Sequence, residues 1–177
     1  MSTWNIDQAH SEIGFKVKHL VVSTVKGSFA NFSGSLTSSD DTFADAKIFF
    51  EADVASITTN NAQRDGHLKS GDFFDVENSP KITFVSKSFS KNGGDSFTLV
   101  GDFTMRGVTK EITLNVVSNG INTNPMDGLR VTSFDLTGKI NRMDFGVKWN
   151  VALETGGFMV SEEVMLDIGV EMKEAKA

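Results

Sequence analysis

At 177 residues and 19.2 kDa, with a net charge of −6 at pH 7 and a pI near 5.0, the chain has the size of one well-buried domain. Nucleic-acid backbones recruit clustered Lys and Arg, and no such cluster is present. A hydrophobic fraction of 39% beside 23% charged residues describes a globular chain, and no window approaches the roughly 18 apolar residues of a membrane-spanning helix.

The first residues, MSTWNIDQAH, carry no basic segment followed by an apolar one, so the expected address is the cytoplasm. The absence of cysteine excludes disulfides, thiolate nucleophiles and thiolate metal sites. Fifteen Phe against no Tyr give an aromatic content without hydroxyl groups, which suits an apolar interior with few hydrogen-bond anchors. Sixteen Gly against two Pro are the composition of a sheet curved by bulges and close backbone approach.

Period-two alternation starts at EIGFKVK, which sets Ile13, Phe15 and Val17 on one face and Gly14 and Lys16 on the other. A single turn within KHLVVSTV leads to VKGSFANF, read as a continuing strand with Val25, Gly27 and Phe29, and AKIFFEAD supplies another around Ile48 and Phe50. Further runs follow at KITFVSKSF, SFTLVGDF, EITLNVV, RVTSFDLTGKI and EEVMLDIGVEM, separated by turn signals such as KNGGD and NTNPMDG. Only EMKEAKA reads as a frayed end.

One helix interrupts the strands. Asn60 is placed to cap it, with Gln63 completing a capping box and Gly71 supplying a left-handed stop. Helical spacing puts Arg64, His67 and Leu68 on one face, expected to turn toward a barrel opening or edge. Roughly eight or more antiparallel strands must close or stack to hide their edges, and closure at that number leaves either a filled interior or room for a small ligand. The expected fold is therefore all-β, a single antiparallel β-barrel over residues 1–177 with one short helix packed on it.

The chemistry available is limited. His10, His19 and His67 match no helical or hairpin metal motif, alone or with Glu12 or Asp65, and no G-x-S-x-G elbow or phosphate-binding Gly loop is present. Asp7 and His10 read first as groups satisfying the backbone at the start of the first long strand, and alternatively as a polar pocket wall. Arg64 and His67 either pair with strand carboxylates or offer donors to the polar end of a ligand.

Five blocks, in order, carry a resemblance: IDQAHSEIGFKVKHLVVSTVKGSFANFSG, RDGHLKSGDFFDVENSPKITFVS, VGDFTMRGVTKEITLNV, INRMDFGVKWN and GGFMVSEEVMLDIGVE. Together they resemble the YceI-like family of bacterial lipid-binding proteins over nearly the whole chain. The resemblance implies an extended lipocalin-like barrel with an isoprenoid or other long-chain lipid in a central apolar channel, and a homodimer; no cofactor is expected. Family members are often exported, and this chain departs from those in its N-terminus, in Gln8 where proline is common, and in Ser79 where an aromatic is common.

Matched positions carried over as channel-lining candidates are Phe15, Val17, Phe29, Phe32, Phe84, Phe103, Phe145, Phe158 and Met159. Arg64 and His67 join them as head-group candidates, with an Arg64 ion pair to Asp72 or Asp144 as the structural alternative. The leading expectation is a non-enzymatic carrier of a polyisoprenoid or quinone-like lipid. Its rivals are an enzyme acting on such a lipid through His10, His67 and a nearby carboxylate, and an interaction module with a filled barrel.

Overall fold

Alternation in the sequence becomes pleat along almost the whole chain in the computed structural model, which describes residues 1–176. The elements are β1 (Ser2–Ile6), β2 (Glu12–His19), β3 (Ser23–Phe29), β4 (Phe32–Ser38), β5 (Lys47–Asp53), β6 (Ile57–Thr58), α1 (Ala62–Lys69), β7 (Lys81–Gly93), β8 (Ser96–Met105), β9 (Val108–Thr123), β10 (Arg130–Asn141) and β11 (Val160–Glu174). Eight of the strands close in the order β1-β4-β5-β7-β8-β9-β10-β11, and β11 pairs back to β1 through Trp4↔Glu174 and Ile6↔Met172. The first half of β11 instead pairs with β2, from which β3 and β6 continue as an extension. The fold is the expected lipocalin-like antiparallel barrel, with three strands beyond the closed eight.

Each wall strand turns its apolar residues inward: Ile13, Phe15 and Val17 from β2, Phe50 and Ala52 from β5, and Leu166, Ile168 and Val170 from β11. In β7, Ile82 and Phe84 point inward, then the register shifts between Ser86 and Ser88, so that Phe89 also reaches the core. Without that extra residue Phe89 would face solvent, because one step reverses the faces of a strand. Gly27 and Gly101 face inward beneath rings. A Cβ on Gly27 would lie 2.3 Å from Phe15 Cζ, and one on Gly101 would lie 2.4 Å from Phe84 Cζ. The missing side chains let two Phe rings lie flat on the wall.

One end of the barrel is closed by aromatic rings. The loop after β4 folds Phe43 over the opening, edge-on to Trp4 and to Phe134 at centroid distances of 5.8 and 5.5 Å. Phe134 meets Phe89, which stacks on Phe97 at 4.6 Å. Trp4, Phe43, Phe89, Phe97 and Phe134 are all buried. Edge-to-face and offset contacts of this kind stabilise beyond the area they bury.

Four local expectations are corrected. VKGSFANF is not one strand: a turn at Ala30 and Asn31 separates β3 from β4, held by Ala30 N–H donating to Ser56 O. The helix cap is Asn61, whose side chain accepts from Arg64 N–H, while Asn60 takes a left-handed conformation at φ 59°. The helix ends at an extended Ser70, with no left-handed glycine at Gly71. The sequence EMKE is the last rung of β11, not a frayed end, and Ala175 N–H still donates to Thr3 O at 2.8 Å; Ala177 lies outside the described residues.

Candidate functional site

Inside the wall lie two adjoining, largely apolar chambers. The inner chamber, about 140 Å³, is bounded by side chains such as Leu36, Phe50, Phe84, Leu99, Leu114 and Leu136, below the aromatic plug. The outer chamber, about 250 Å³, lies between the β2–β3 hairpin, helix α1 and the segment 147–160. Both are lined by Phe15, Phe29, Ile82, Phe103 and Leu166, so these residues form the waist that stands between the two. Apart from Gly14 and Ser35, the inner chamber is walled by apolar residues.

Among the described lining residues, charged side chains appear only toward the outer chamber. Arg64, His67 and Leu68 share the helix face that lines it, as the spacing predicts. Arg64 makes no ion pair with Asp72 or Asp144: its Nε donates to Thr59 Oγ1 at 2.7 Å and its Nη2 to Thr59 O at 2.8 Å. Asp65 accepts from both Thr59 N–H and Thr59 Oγ1, fixing the start of the helix to the end of β6. The residue that pairs with Asp72 is His67, Nε2 to Oδ2 at 2.8 Å. The His67 ring also stands edge-on to Phe73 at 5.0 Å and to Trp149 at 4.9 Å, which makes an aromatic corner.

Arginine–carbonyl bonds hold this outer wall. Arg142 is buried, at 3% exposure, and donates to four backbone carbonyls: Nε to Ser161 O, Nη1 to Val147 O and Trp149 O, and Nη2 to Val160 O. Burial lowers its pKa from the ordinary guanidinium value, opposed by the charge of Glu162. Arg106 donates to Gly146 O and to Gly71 O, tying the β8–β9 turn to the exit of α1. The segment 147–160 contains little regular structure, and Arg142 and the Asn150 side chain, which bonds both Val160 O and Val160 N–H, hold its two ends together.

The candidates named from the sequence divide by location. Phe15, Phe29 and Phe103 line both chambers, Phe84 lines the inner one, and Val17, Met159, Arg64 and His67 line the outer one. Phe32 and Phe145 are buried core residues outside both linings, Phe145 standing edge-on to Phe103 at 5.4 Å. Phe158 is 51% exposed on the surface. Trp149 and Arg142 were not among the candidates. INRMDFGVKWN contains both, but only the fold shows that they face the chamber.

His10 sits elsewhere, on the outer surface. Its Nδ1 lies 2.8 Å from Asp7 Oδ2 and 3.8 Å from Glu171 Oε1. Asp7 also accepts from Ala9 N–H, as the structural reading expects, and from Lys173 Nζ at 2.7 Å. The hydrogen bond from Lys173, then that from His10, holds the Asp7 carboxyl at about 2, and Asp7 in turn raises the pKa of His10. Asp7, His10 and Glu171 lie close together, and the Lys173 ammonium supplies a cation to Asp7. His10 and His67 therefore do not form a joint acid–base site.

The model of the YceI-like domain matches residues 4–172. A UPF0312 protein of Staphylococcus aureus strain MSSA476 is 44% identical over 171 residues, covering 97% of each chain. The crystal structure of a YceI protein from Campylobacter jejuni superposes with a TM-score of 0.76 at 34% identity over 96% of each chain. That of Burkholderia cenocepacia BcnA gives 0.79 at 23% identity, covering 94% of this chain and 98% of the other. A domain from Saccharophagus degradans described as polyisoprenoid binding gives 0.65 at 13% identity, covering 97% and 98%.

Proposed function

Because the chain belongs to the YceI-like family, we propose that it is a non-enzymatic carrier that sequesters a long-chain amphiphilic lipid of the polyisoprenoid or quinone type. The observation that carries this reading is the pair of adjoining chambers, the inner walled almost wholly by apolar residues and the outer carrying the charged and hydrogen-bonding side chains. A flexible hydrocarbon tail threads the Phe15–Phe29–Phe103 waist into the inner chamber, gaining about 25 cal/mol per Å² of apolar area removed from water. The head group stays in the outer chamber, where Arg64, His67 and Thr59 supply hydrogen-bonding groups beside the aromatic corner. The description of the S. degradans domain as polyisoprenoid binding supports the same ligand class through a shared fold.

A filled-barrel interaction module is disfavoured by the two chambers, and an enzyme using His10 with His67 by the separate placement of those residues. Tryptophan fluorescence tests the proposal, because Trp149 lines the outer chamber whereas Trp4 is fully buried outside both linings. Titrating a prenylated quinone into delipidated protein is expected to quench emission saturably, and Trp149→Phe is expected to remove most of that signal. Absence of saturable quenching with prenyl chains of any length, together with no uptake of fatty amides, would reject the carrier reading. Sedimentation of the same samples tests the homodimer, carried forward here as a proposal, which predicts twice the chain mass.

A further inference from the structure

We propose that the tip of the β2–β3 hairpin, Leu20–Val22, inserts into a lipid bilayer and seats the outer chamber on the membrane surface. The proposal rests on the lipid-binding reading above, which supplies the reason for the chamber to meet a membrane. Three residues join the register pair His19↔Ser23. Leu20 and Val21 adopt left-handed conformations, φ 52° and 66°, which cost little for Gly or Asn and are strained for a β-branched side chain. The strain displays aliphatic groups to solvent, since Leu20, Val21 and Val22 are 40%, 64% and 84% exposed. A turn selected for stability alone would carry polar or glycine residues there.

The tip is continuous with further apolar surface. Leu20 N–H donates to Met159 O, Met159 N–H donates to Val151 O, and Val21 lies against Gly157. Val151 and Phe158, at 44% and 51% exposure, extend the patch along the neighbouring segment. Directly beneath, His19, Met159 and Val160 line the outer chamber, so the patch rims its mouth. A grouped apolar surface at that place marks an interaction site.

Charge and shape favour a bilayer over a second protein. Lys16, Lys18 and Lys26 occupy the outward face of the hairpin, alternating with inward Phe15, Val17 and Val25. Lys16 pairs with Asp167, while Lys18 and Lys26 have no carboxylate partner among the described residues. Glu154 is the acidic residue of the adjoining loop. Lysines below an aliphatic tip match anionic head groups above an acyl layer. A membrane-seated mouth also lets the lipid pass between bilayer and chamber without exposing its chain to water.

Cosedimentation of the full chain with phosphatidylcholine vesicles containing phosphatidylglycerol tests this, read beside native mass spectrometry of bound lipid. The double substitution Val21→Asn and Val22→Asn is expected to lower vesicle affinity roughly tenfold without lowering thermal stability, because Asn tolerates the left-handed turn. Lipid loading is expected to stay as in the wild type. Vesicle binding that survives the double substitution overturns the proposal. Failure of the lipid-loaded wild type to bind vesicles overturns it while leaving the carrier reading intact, and a tip-dependent vesicle interaction by a protein that accepts no lipid does the reverse. A dimer that the double substitution splits, with no vesicle binding by the wild type, reassigns the tip to a second copy. Val22→Trp provides an independent readout, with a blue shift on vesicle addition expected and an unchanged spectrum counting against insertion.

Discussion

The two chambers share a waist but are held by different physics. The inner one is walled by continuous ladders, and each lining side chain is aimed by the pleat of a strand paired on both sides. The outer one is walled by a hairpin end, a short helix and a segment with little regular structure, joined by guanidinium-to-carbonyl hydrogen bonds from Arg64, Arg106 and Arg142. Rigidity belongs to the ladder side, whereas a loop wall can open at a fraction of the global stability. A carrier needs both properties, a preformed apolar interior and a door.

Truncating a side chain on each side of the waist tests that contrast most strongly. Phe134→Ala, in the buried plug, is expected to cost about 4 kcal/mol in urea unfolding, through lost burial and a residual cavity. Trp149→Ala, on the half-buried outer wall, is expected to cost about 1.5 kcal/mol because water and the loop refill the space. Equal losses would mean that the outer wall is as rigid as the barrel.

Arg142→Met comes next, at about 3 kcal/mol, because it leaves carbonyls that accept from a buried cation without their donor. Amide exchange is expected to accelerate across 147–160 and to stay slow in β8 and β9. Uniform acceleration would show that Arg142 supports the whole barrel.

Acid sharpens the comparison at the seam where β1 meets β11. Asp7 is held at about 2 by Lys173 and His10, while the unfolded carboxyl titrates near 4. Its contribution is therefore complete above about pH 4 and lost as the pH falls through about 2. Asp7→Asn is expected to lower stability at pH 6 and to flatten the decline between pH 4 and pH 2. An unchanged slope in that window would remove Asp7 from the acid response.

The smallest effect is expected from Asn61→Ala, which removes the cap accepting Arg64 N–H and costs about 1 kcal/mol. The loss should appear as faster exchange within α1 alone. Protection lost from the barrel strands as well would mean that the helix is integral to the ladder.

How much was legible in the sequence follows the same division. Alternation in EIGFKVK, AKIFFEAD and EEVMLDIGVEM identified inward faces, because a paired strand has one geometry. β1 escaped notice since STWNI is only five residues long, and Phe89 could not be oriented before the bulge at Lys87 was known. The Arg64–His67–Leu68 face was readable from helical spacing, but the partners were not, since Thr59 and Asp72 are chosen by turns. Arg142 and Trp149 resemble ordinary residues of a turn-rich block, and only closure of the barrel turns them toward the cavity. Phe32, Phe145 and Phe158 show the converse: a matched phenylalanine is not thereby a lining one.

Native mass spectrometry of gently purified wild type and Leu136→Trp, followed by organic extraction, addresses the central claim that a lipid tail occupies the inner chamber. Leu136 lines that chamber, and an indole there fills the space a tail requires. The account predicts a single long-chain amphiphile released from each wild-type chain and little or none from a Leu136→Trp protein of unchanged circular dichroism. A wild type that holds no lipid and refuses offered isoprenoids, or a Leu136→Trp variant loaded as fully as the wild type, would contradict it.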